Sequence, residues 1–590
     1  MRRQSVGTQQ VMTANQSSIR SRYARFQNRL QARLATRAKA ATAFVSAPEP
    51  RTIGSFARGR QLVAGNYLFA GHLITQRGTS LWELEPPDAY YEQDLHGFAW
   101  LDDLAAVGDV GARLAASDWL WGWIDRYGRG RGPGWTPDLT GRRLIRWINH
   151  ALFVLRGQDS VRSEAFYQSL AQQTLFLSRR WHSTQPGLPR FEALCGLIYA
   201  GMALQGLEGL AAPAVTALSK ECDSQIDAEG GLPTRNPEEL MEVFTLLTWA
   251  AAALSEAGHQ VPKPQTDAVE RIAPTLRTLR HSDGGLARFH GGGRGATGWL
   301  DHALAASGVK GRAPDGLAMG FARLSAGRSS LVVDASTPPK GAASYNAHAS
   351  TLAFELTCGR RPMIVNCGSG AHFGAEWRRA GRATPSHSTL ILDGLSSARL
   401  GEPDRATGRE PLKEAPNHVP IEISEAPDGL RFQGGHNGFV GTHGLTHART
   451  LELTFDGRGL AGEDMLLALE DNDRRVFDRE MDALKLAGIP FDIRFHLHPD
   501  AGVTLDLGGA AASILLKSGE VWIFRSASLP LKLEPSVFLE AGRLKPRATQ
   551  QIVLSGRAMD YATRIRWSLS KPQETAIGVR DLVPDELDLL

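Results

Sequence analysis

Two periodicities divide this chain. From about Gly59 to Leu279, apolar residues recur three and four positions apart, the repeat of a helix that buries one face. The predicted helices are Gln93–Ser117, Thr140–Arg156, Ser163–Trp181, Arg190–Leu207, Ala214–Ile226, Pro237–Ala257 and Gln265–Leu279. Each is closed by Gly, Pro or polar residues. Asp138 and Asn236 are the predicted N-caps, since a short oxygen-bearing side chain there satisfies the first free N–H groups. Such helices joined by short loops pack as antiparallel pairs.

After Leu317 the period shortens to two. Alternating runs at Ser329–Val333, Thr351–Thr357, Met363–Cys367, Thr389–Leu392 and Ile421–Ile423 predict strands. So do Leu430–Gly434, Thr446–Phe455, Met465–Leu469, Ile493–His498, Ala512–Lys517, Val521–Arg525, Gln551–Leu554 and Arg564–Leu569. Strands at this spacing with Gly/Asp turns and no helices between them predict an antiparallel sandwich. The fold class is therefore multidomain α+β, helices first and sheets second. Four segments follow: an arm (1–58), a helical domain (59–280), a connector (281–316) and a β domain (317–590). The connector is dense in glycine and predicts one helical turn at Asp301–Ala306. Its GGGR after His290 lacks the strand-to-helix context of a phosphate loop.

The arm changes the picture by its charge. The first 40 residues carry nine basic side chains and no Asp or Glu. Arg22, Arg25, Arg29, Arg33 and Arg37 recur at helical spacing, with Tyr23, Phe26, Leu30 and Leu34 on another face. Two readings stay open: weak contact with an anionic membrane surface, or an arm docked on its own domain. The continuous apolar core of a secretory signal is not seen, which keeps a cytoplasmic location open. No apolar stretch is long enough to span a bilayer. Net charge is +4 over 590 residues, and no basic stripe runs into the folded domains, so nucleic acid is not an expected partner. The cysteines (Cys195, Cys222, Cys358, Cys367) form no CxxC pair and are expected as reduced, partly buried thiols, although Cys358 and Cys367 flank one predicted turn. Trp119, Trp121, Trp123, Trp135 and Trp147 are expected as core, with sugar stacking as the other role open to tryptophan at helix ends.

Polar chemistry concentrates in Ser344–Ser397. Tyr345, Asn346 and His348 precede a hairpin turning at Gly359–Pro362. A loop with Trp377, Arg378, Arg379 and Arg382 then ends at His387. Equal offsets from the turn pair Glu355 with Asn366 on one face, so Glu355 is either a site carboxylate or a solvated glutamate. Arg190, Glu192, Arg235 and Asn236 sit at predicted helix starts, where an arginine fork suits a carboxylate ligand or an internal partner. Asn149-His150 lies inside a helix, in core or groove. His436, His443 and His447 fall in one segment, and His496 and His498 share a strand face, which suits ligation or plain structural bonding.

These motifs bring a family into view. AHASTLAFEL with IVNCG and RATPSHSTL, then HNGFVGTHGLTHARTLEL, GEDML and RFHLHP, resemble the heparinase II/III-like superfamily of polysaccharide lyases over roughly residues 60 to 570. DLTGRRLIRWINHAL and GLPTRNPEEL resemble its helical half. The resemblance implies an incomplete α/α toroid followed by an antiparallel β-sandwich, and β-elimination on a uronate-containing acidic polysaccharide in the cell envelope or periplasm. In that reaction a uronate carboxylate is neutralised, a base takes the adjacent proton and an acid protonates the leaving oxygen. Carried over, it implies a catalytic set of Tyr345, Asn346, His348, Arg382 and His387. It also implies substrate contacts by Trp135, Arg190, Glu192, Arg235 and Asn236. A single divalent metal, zinc or calcium, would fall to His348, Asn366 and His387. The chain departs from the pattern in four places. Asn366 stands where relatives have an aspartate, and Asn346 where some have a histidine. The helix at Gly187–Arg190 lacks their Asn-His, and RNPEEL lacks their tyrosine. The alternative implied by those departures is a glycan-binding or envelope protein that keeps the scaffold without the chemistry.

Overall fold

The computed structural model describes residues 22–311, 316–404, 407–572 and 581. Helices Pro137–Asn149, Ser160–Arg180, Leu188–Ala203, Glu208–Gln225, Pro237–Glu256 and Lys263–Leu279 carry the toroid. The predicted helix Gln93–Ser117 is instead three: Ala89–Gly97, Ala99–Val107 and Val110–Tyr127. Phe98 breaks the first join with a left-handed backbone (φ 61°), and Gly108 (φ 67°) breaks the second. Asp109 then caps the third helix by accepting from Ala112 N at 2.7 Å. Thr140–Arg156 likewise divides at His150. Asp138 is not the cap there. Thr136 takes that position because Pro137 fills the first turn, leaving Asp138 inside the helix. Asn236 does cap its helix, its Oδ1 accepting from Glu238 N at 3.0 Å and Glu239 N at 3.2 Å.

Large aromatics fill the middle of the toroid. Trp123 and Trp147 cross edge-to-face at 5.4 Å, and the Arg143 guanidinium lies 4.1 Å over the Trp123 ring. Trp135 belongs to this core, 3% exposed and 5.2 Å from Phe176, with its Nε1 donating to Tyr127 O. It offers no face to a sugar. The arm helix (residues 22–35) docks on the toroid through buried Asn28, Ala32 and Ala35. Arg180 Nε donates to Asn28 Oδ1 at 2.7 Å. Its other face stays outside, Tyr23 at 62% and Phe26 at 61% exposure.

Two eight-stranded antiparallel sheets form the sandwich. In spatial order the first holds Ile421–Ala426, Gly429–Phe439, Leu445–Thr454, Gly459–Leu467, Ala562–Ser570, Val521–Ser526, Ala511–Leu515 and Gly502–Asp506. The second runs Leu531–Phe538, Arg547–Ala558, Ile489–Leu497, Arg361–Val365, Phe354–Cys358, Ser329–Asp334 and Phe321–Ala326, with Leu390–Leu392 added on Ile489–Leu497. Phe354, Phe495, Phe524 and Trp567 pack between them, Trp567 stacked on Phe524 at 5.6 Å. Three elements differ from the expectation of strands without helices. Helices Ala375–Gly381, Val440–His443 and Asp471–Ala483 interrupt the β half, the last held by a capping box of Glu470 and Asp473. The connector helix is longer than its predicted turn, Trp299–Ser307. All four cysteines are free and buried, so Cys358 and Cys367 are not bridged.

The hairpin register also departs from equal offsets. A bulge between Leu356 and Thr357 pairs Leu356 with Ile364, so Glu355 does not face Asn366 across the ladder. Before it, Thr351–Ala353 is a turn with Leu352 left-handed (φ 64°), which frees His348 from strand parity. No helix among the described residues is long and apolar enough to cross a membrane.

Candidate functional site

Arginines pin the two halves together, Arg323 from the β half to Thr278 O and Arg235 from the helical half. Arg235 sits left-handed (φ 50°) just before the cap Asn236. Its guanidinium donates to Met319 O, Gly320 O, Thr337 O and Asp334 Oδ1, the last at 2.6 Å, and lies 4.6 Å over Phe321. Every one of those partners belongs to the β half. Sequence reasoning placed Arg235 on a substrate rim, and the structure puts it in the seam.

Asp334 is the hub beneath. It is fully buried, and its Oδ2 accepts from Ser350 Oγ at 2.7 Å and stands 3.3 Å from His290 Nε2. Burial would raise this carboxyl, but the Arg235 charge and the facing His290 hold it well below the usual carboxylate range. His290 Nδ1 accepts from His348 N at 3.2 Å, which leaves its proton on Nε2, toward Asp334. Sequence reasoning missed both residues. Asp334 closes an otherwise apolar strand, and His290 stands in the glycine-rich connector; each signal was present but weak.

Three imidazoles follow in a row. Ring centroids of His290 and His348 lie 6.4 Å apart, and those of His348 and His387 5.1 Å apart. The 3-10 turn Gly341–Asn346 delivers His348, and the turn Thr384–Ser386 delivers His387. Arg382, 2% exposed, locks the first loop by donating to Ser344 O and Ala347 O, each at 2.9 Å. It positions the loop and has no free face. Burial pushes His387 down to about 3 and His348 well below its ordinary value, so both are neutral at physiological pH. His348 Nδ1, both His387 nitrogens and Asn366 Nδ2 are buried without a hydrogen-bond partner. The predicted pair is thus brought together, and closed off: His348 is 2% exposed and His387 fully buried.

The metal implied by the resemblance meets this set only in part. Two neutral imidazoles with unpaired nitrogens suit a cation. The third position does not, because Asn366 brings no charge and its Oδ1 already accepts from Ser388 N at 3.0 Å. Glu355 does not supply the missing carboxylate. Its Oε2 accepts from Arg288 N (3.1 Å) and faces His281 Nε2 (3.3 Å), and its Oε1 accepts from Asn366 N (3.4 Å). Among the described residues no group of three or more His, Cys, Asp or Glu side chains converges as a ligand set. The residues present do not fit zinc or calcium, and no step is derived through one.

The remaining predicted residues do not converge: Tyr345 and Asn346 belong to the β half, and Arg190 and Glu192 bond within the helical half. Tyr345 is half-buried and Asn346 exposed, and Arg378 Nη2 holds both by donating to Tyr345 O (2.8 Å) and Asn346 Oδ1 (3.1 Å). Arg190 donates to Thr184 O at 2.6 Å, beside Glu221. Glu192 is paired with Arg142. Across the cleft mouth Gly71 abuts the His372 backbone, where a Cβ would fall 1.7 Å from its oxygen.

A second buried network lies between the sheets. His436 Nε2 meets His447 Nδ1 at 3.3 Å, and His447 Nε2 meets Asp464 Oδ1 at 2.8 Å. Arg449 Nε donates to the same oxygen at 2.7 Å, and Trp567 Nε1 to Oδ2 at 2.9 Å. Arg449 Nη1 then donates to Leu352 O and Ser388 O, both at 2.9 Å, tying together the loops that carry His348 and His387. His447 and Arg449 lie in phase with inward Leu445, Leu451 and Leu453, the signal by which alternation alone could have found them.

Comparison with known proteins bears on the fold. A family model described as "Heparinase II/III-like, C-terminal" matches residues 309–568. The β half is a heparinase II/III-like domain. A crystal structure of Heparinase III superposes on this heparinase-like chain with a TM-score of 0.65 at 13% identity, covering 90% of this chain and 87% of that one. Heparan sulfate lyase HepC from Pedobacter heparinus, in mutant form, gives 0.54 at 15% identity over 88% and 83%. These likenesses establish a helical domain followed by antiparallel sheets as the shared fold. In sequence, FtsZ-localized protein C of Caulobacter vibrioides (strain NA1000 / CB15N) is 29% identical over 541 residues, 89% of each chain.

Proposed function

We propose that this heparinase-like chain is a glycan-binding scaffold protein of the cell envelope, working with the division apparatus, and not an eliminating lyase. One observation carries the reading: the imidazoles His348 and His387 are buried at 2% and 0% exposure. Elimination needs a base and an acid within hydrogen-bond reach of the substrate. Asn346 replaces an expected histidine, and Tyr345 is the one phenol beside this loop. The glycan part rests on the fold shared with lyases named for heparan sulfate. The division part rests on FtsZ-localized protein C, which matches nearly end to end at about twice the identity of those lyases. The arm supports an envelope location, since Tyr23, Phe26 and Leu30 stay exposed beside a row of arginines, a pattern suited to an anionic membrane surface.

The test has two arms. The purified chain is incubated with heparin, heparan sulfate, alginate and pectate while absorbance near about 230 nm, the region of an unsaturated uronate formed by elimination, is followed. The expected result is no increase; sustained turnover would overturn the reading. A fluorescent fusion is then imaged with FtsZ in the source cell. A band at the division site is expected, and uniform distribution would remove the division part.

A further inference from the structure

Among the described residues the two long sheets end on four terminal strands, and three of these are blocked. Phe321–Ala326 lies against the helical half, Arg323 Nη1 donating to Thr278 O at 2.7 Å. Leu531–Phe538 carries exposed Lys532 and Pro535, the second with no N–H to offer. Ile421–Ala426 carries exposed Glu422 and Glu425. Edge charges and prolines of this kind keep a strand from pairing with another chain.

The fourth, Gly502–Asp506, has none of these devices. It pairs on one side with Ala511–Leu515, and among the described residues its other side pairs with no strand. It holds no Lys, Arg, Glu or Pro, and the carboxylate of Asp506, its one charge, is taken by Ser513 Oγ. Gly502 and Thr504 are exposed, as is Leu505 at 42%. A row of free N–H and C=O groups with an apolar side chain beside it is a template for one more strand. A second observation comes from the backbone. Leu507, just past the strand, is 80% exposed and held left-handed (φ 52°) ahead of Gly508 and Gly509. That conformation costs a bulky side chain free energy, and leucine in water gains nothing in return. A contact that buries Leu507 would offset the cost.

We infer that this edge pairs with its own counterpart in a second copy of the chain, antiparallel about a two-fold axis at Thr504. A second copy is the occupant because the strand is complementary to itself. Centred on Thr504, Val503 faces the partner's Leu505 and Asp506 faces the partner's Gly502, so the two like charges never meet. Val503 and Leu505 share one face of the strand. On it Val503 packs against the sandwich core, and the neighbours Ile514 and Ala512 are fully buried. Pairing extends that apolar face into the second molecule, and by the same count Leu507 falls opposite the partner's Ala501. A contact of five residues is small, so the dimer is weak, with a dissociation constant on the order of 10 µM. The inference stands apart from the glycan-binding reading.

The test is sedimentation velocity of the full chain from about 1 to about 100 µM, a range that brackets that constant. The mass is expected to move from monomer toward dimer. Leu505→Lys sets a charge on the edge and should weaken the dimer by about tenfold or more. Thr504→Cys puts two thiols on the axis, where antiparallel Cα atoms lie about 4.5–5.5 Å apart, within the span of a disulfide. Mild oxidation should then give a covalent dimer, since the four native cysteines are buried. Glu422→Cys, on the blocked edge of the same sheet, is the control and should not cross-link. Thermal melts check that each variant is folded, and T504C alone decides the matter if L505K is not. A monomer at every concentration with no T504C cross-link would overturn the inference and leave the edge to a strand from a different protein. A dimer that L505K leaves intact, or cross-linking of T504C no faster than that of E422C, would overturn it as well.

Discussion

Two buried histidine clusters lie in or against the β half, and they answer burial in different ways. The row His290, His348 and His387 ends beside Asn366 with nitrogens of His348, His387 and Asn366 unpaired. The network His436, His447, Arg449 and Trp567 converges on Asp464, bonded through both carboxylate oxygens. Both clusters are buried, and burial is the chief cause of the lowered histidines in each. The row has its own carboxylate at the His290 end, Asp334, so the difference lies at its other end, where Asn366 stands. Where Asp464 stands, both imidazoles find a partner and the guanidinium keeps only Nη2 unpaired, and the cluster is a brace. Where an asparagine stands, the neighbours are left without one. A buried polar cluster is held or left open by its acceptor count more than by its imidazoles.

Removing the brace's carboxylate should have the largest effect. Asp464→Asn leaves Arg449 charged, buried and without a counterion, and breaking such a pair by one partner costs about 3–5 kcal/mol. Urea denaturation followed by tryptophan fluorescence should show that loss. A change under about 1 kcal/mol would mean that Asp464 is not the acceptor the geometry makes it.

Giving the open cluster the same carboxylate should nearly convert it. Asn366→Asp places a charge beside His348 and His387, so the variant alone should be less stable than the parent. Zinc at a hundredfold over its dissociation constant should then restore about 2.7 kcal/mol. Differential scanning calorimetry with zinc and with chelator reads the shift. A zinc response in the parent equal to that of the variant would show that the amide ligates as well as the acid, against the contrast drawn here.

Acid should act on both clusters through one sign. Burial lowers His436 and His447 below their ordinary values in the folded state. As pH falls below an unfolded histidine value of about 6.5, the unfolded chain takes up protons that the folded chain does not. Stability is therefore full above that value and falls by about 1.4 kcal/mol per pH unit for each such group. Asp464, held well below the carboxylate range against its burial by Arg449 and His447, extends the loss below an unfolded value of about 3.9. Denaturant titrations at pH 7 and 5.5 should show the decline, and His436→Gln should make it shallower by about one group's share. A flat profile would place these rings in contact with water.

Much of this architecture was legible beforehand. The change from a period near 3.6 to a period of two separated the halves because each face-burying pattern is local. His348 and His387 were legible as a pair through the motifs AHAST and PSHST. What alternation could not give was the partner of each buried polar group. Glu355 was paired with Asn366 by counting back from the turn, and a single bulge moved it one place in the ladder, so that its Oε2 meets His281 and Arg288 while its Oε1 still accepts from Asn366 N. Arg235 read as a rim residue because a helix start faces a cleft as often as a seam, and only the sandwich decides which. Asp334 ends its strand and Asp464 follows Glu463 within another, and the meaning of each comes from a guanidinium group about 100 and 15 residues away in sequence.

The smallest effect is predicted where the catalytic assignment was first placed. Tyr345 is half-buried on the 3-10 turn, and its contact with Arg378 is made by its carbonyl. Tyr345→Phe removes the hydroxyl and leaves that bond intact, so stability should change by less than about 0.5 kcal/mol. Glycan affinity should hold within about twofold, since no charge-assisted bond is lost. A phenol acting as base would behave otherwise: the variant would lose about a hundredfold or more of any uronate turnover while keeping its binding. The pairing of unchanged binding with lost turnover separates the two accounts, because a cleft residue that merely lines the wall cannot change one without touching the other.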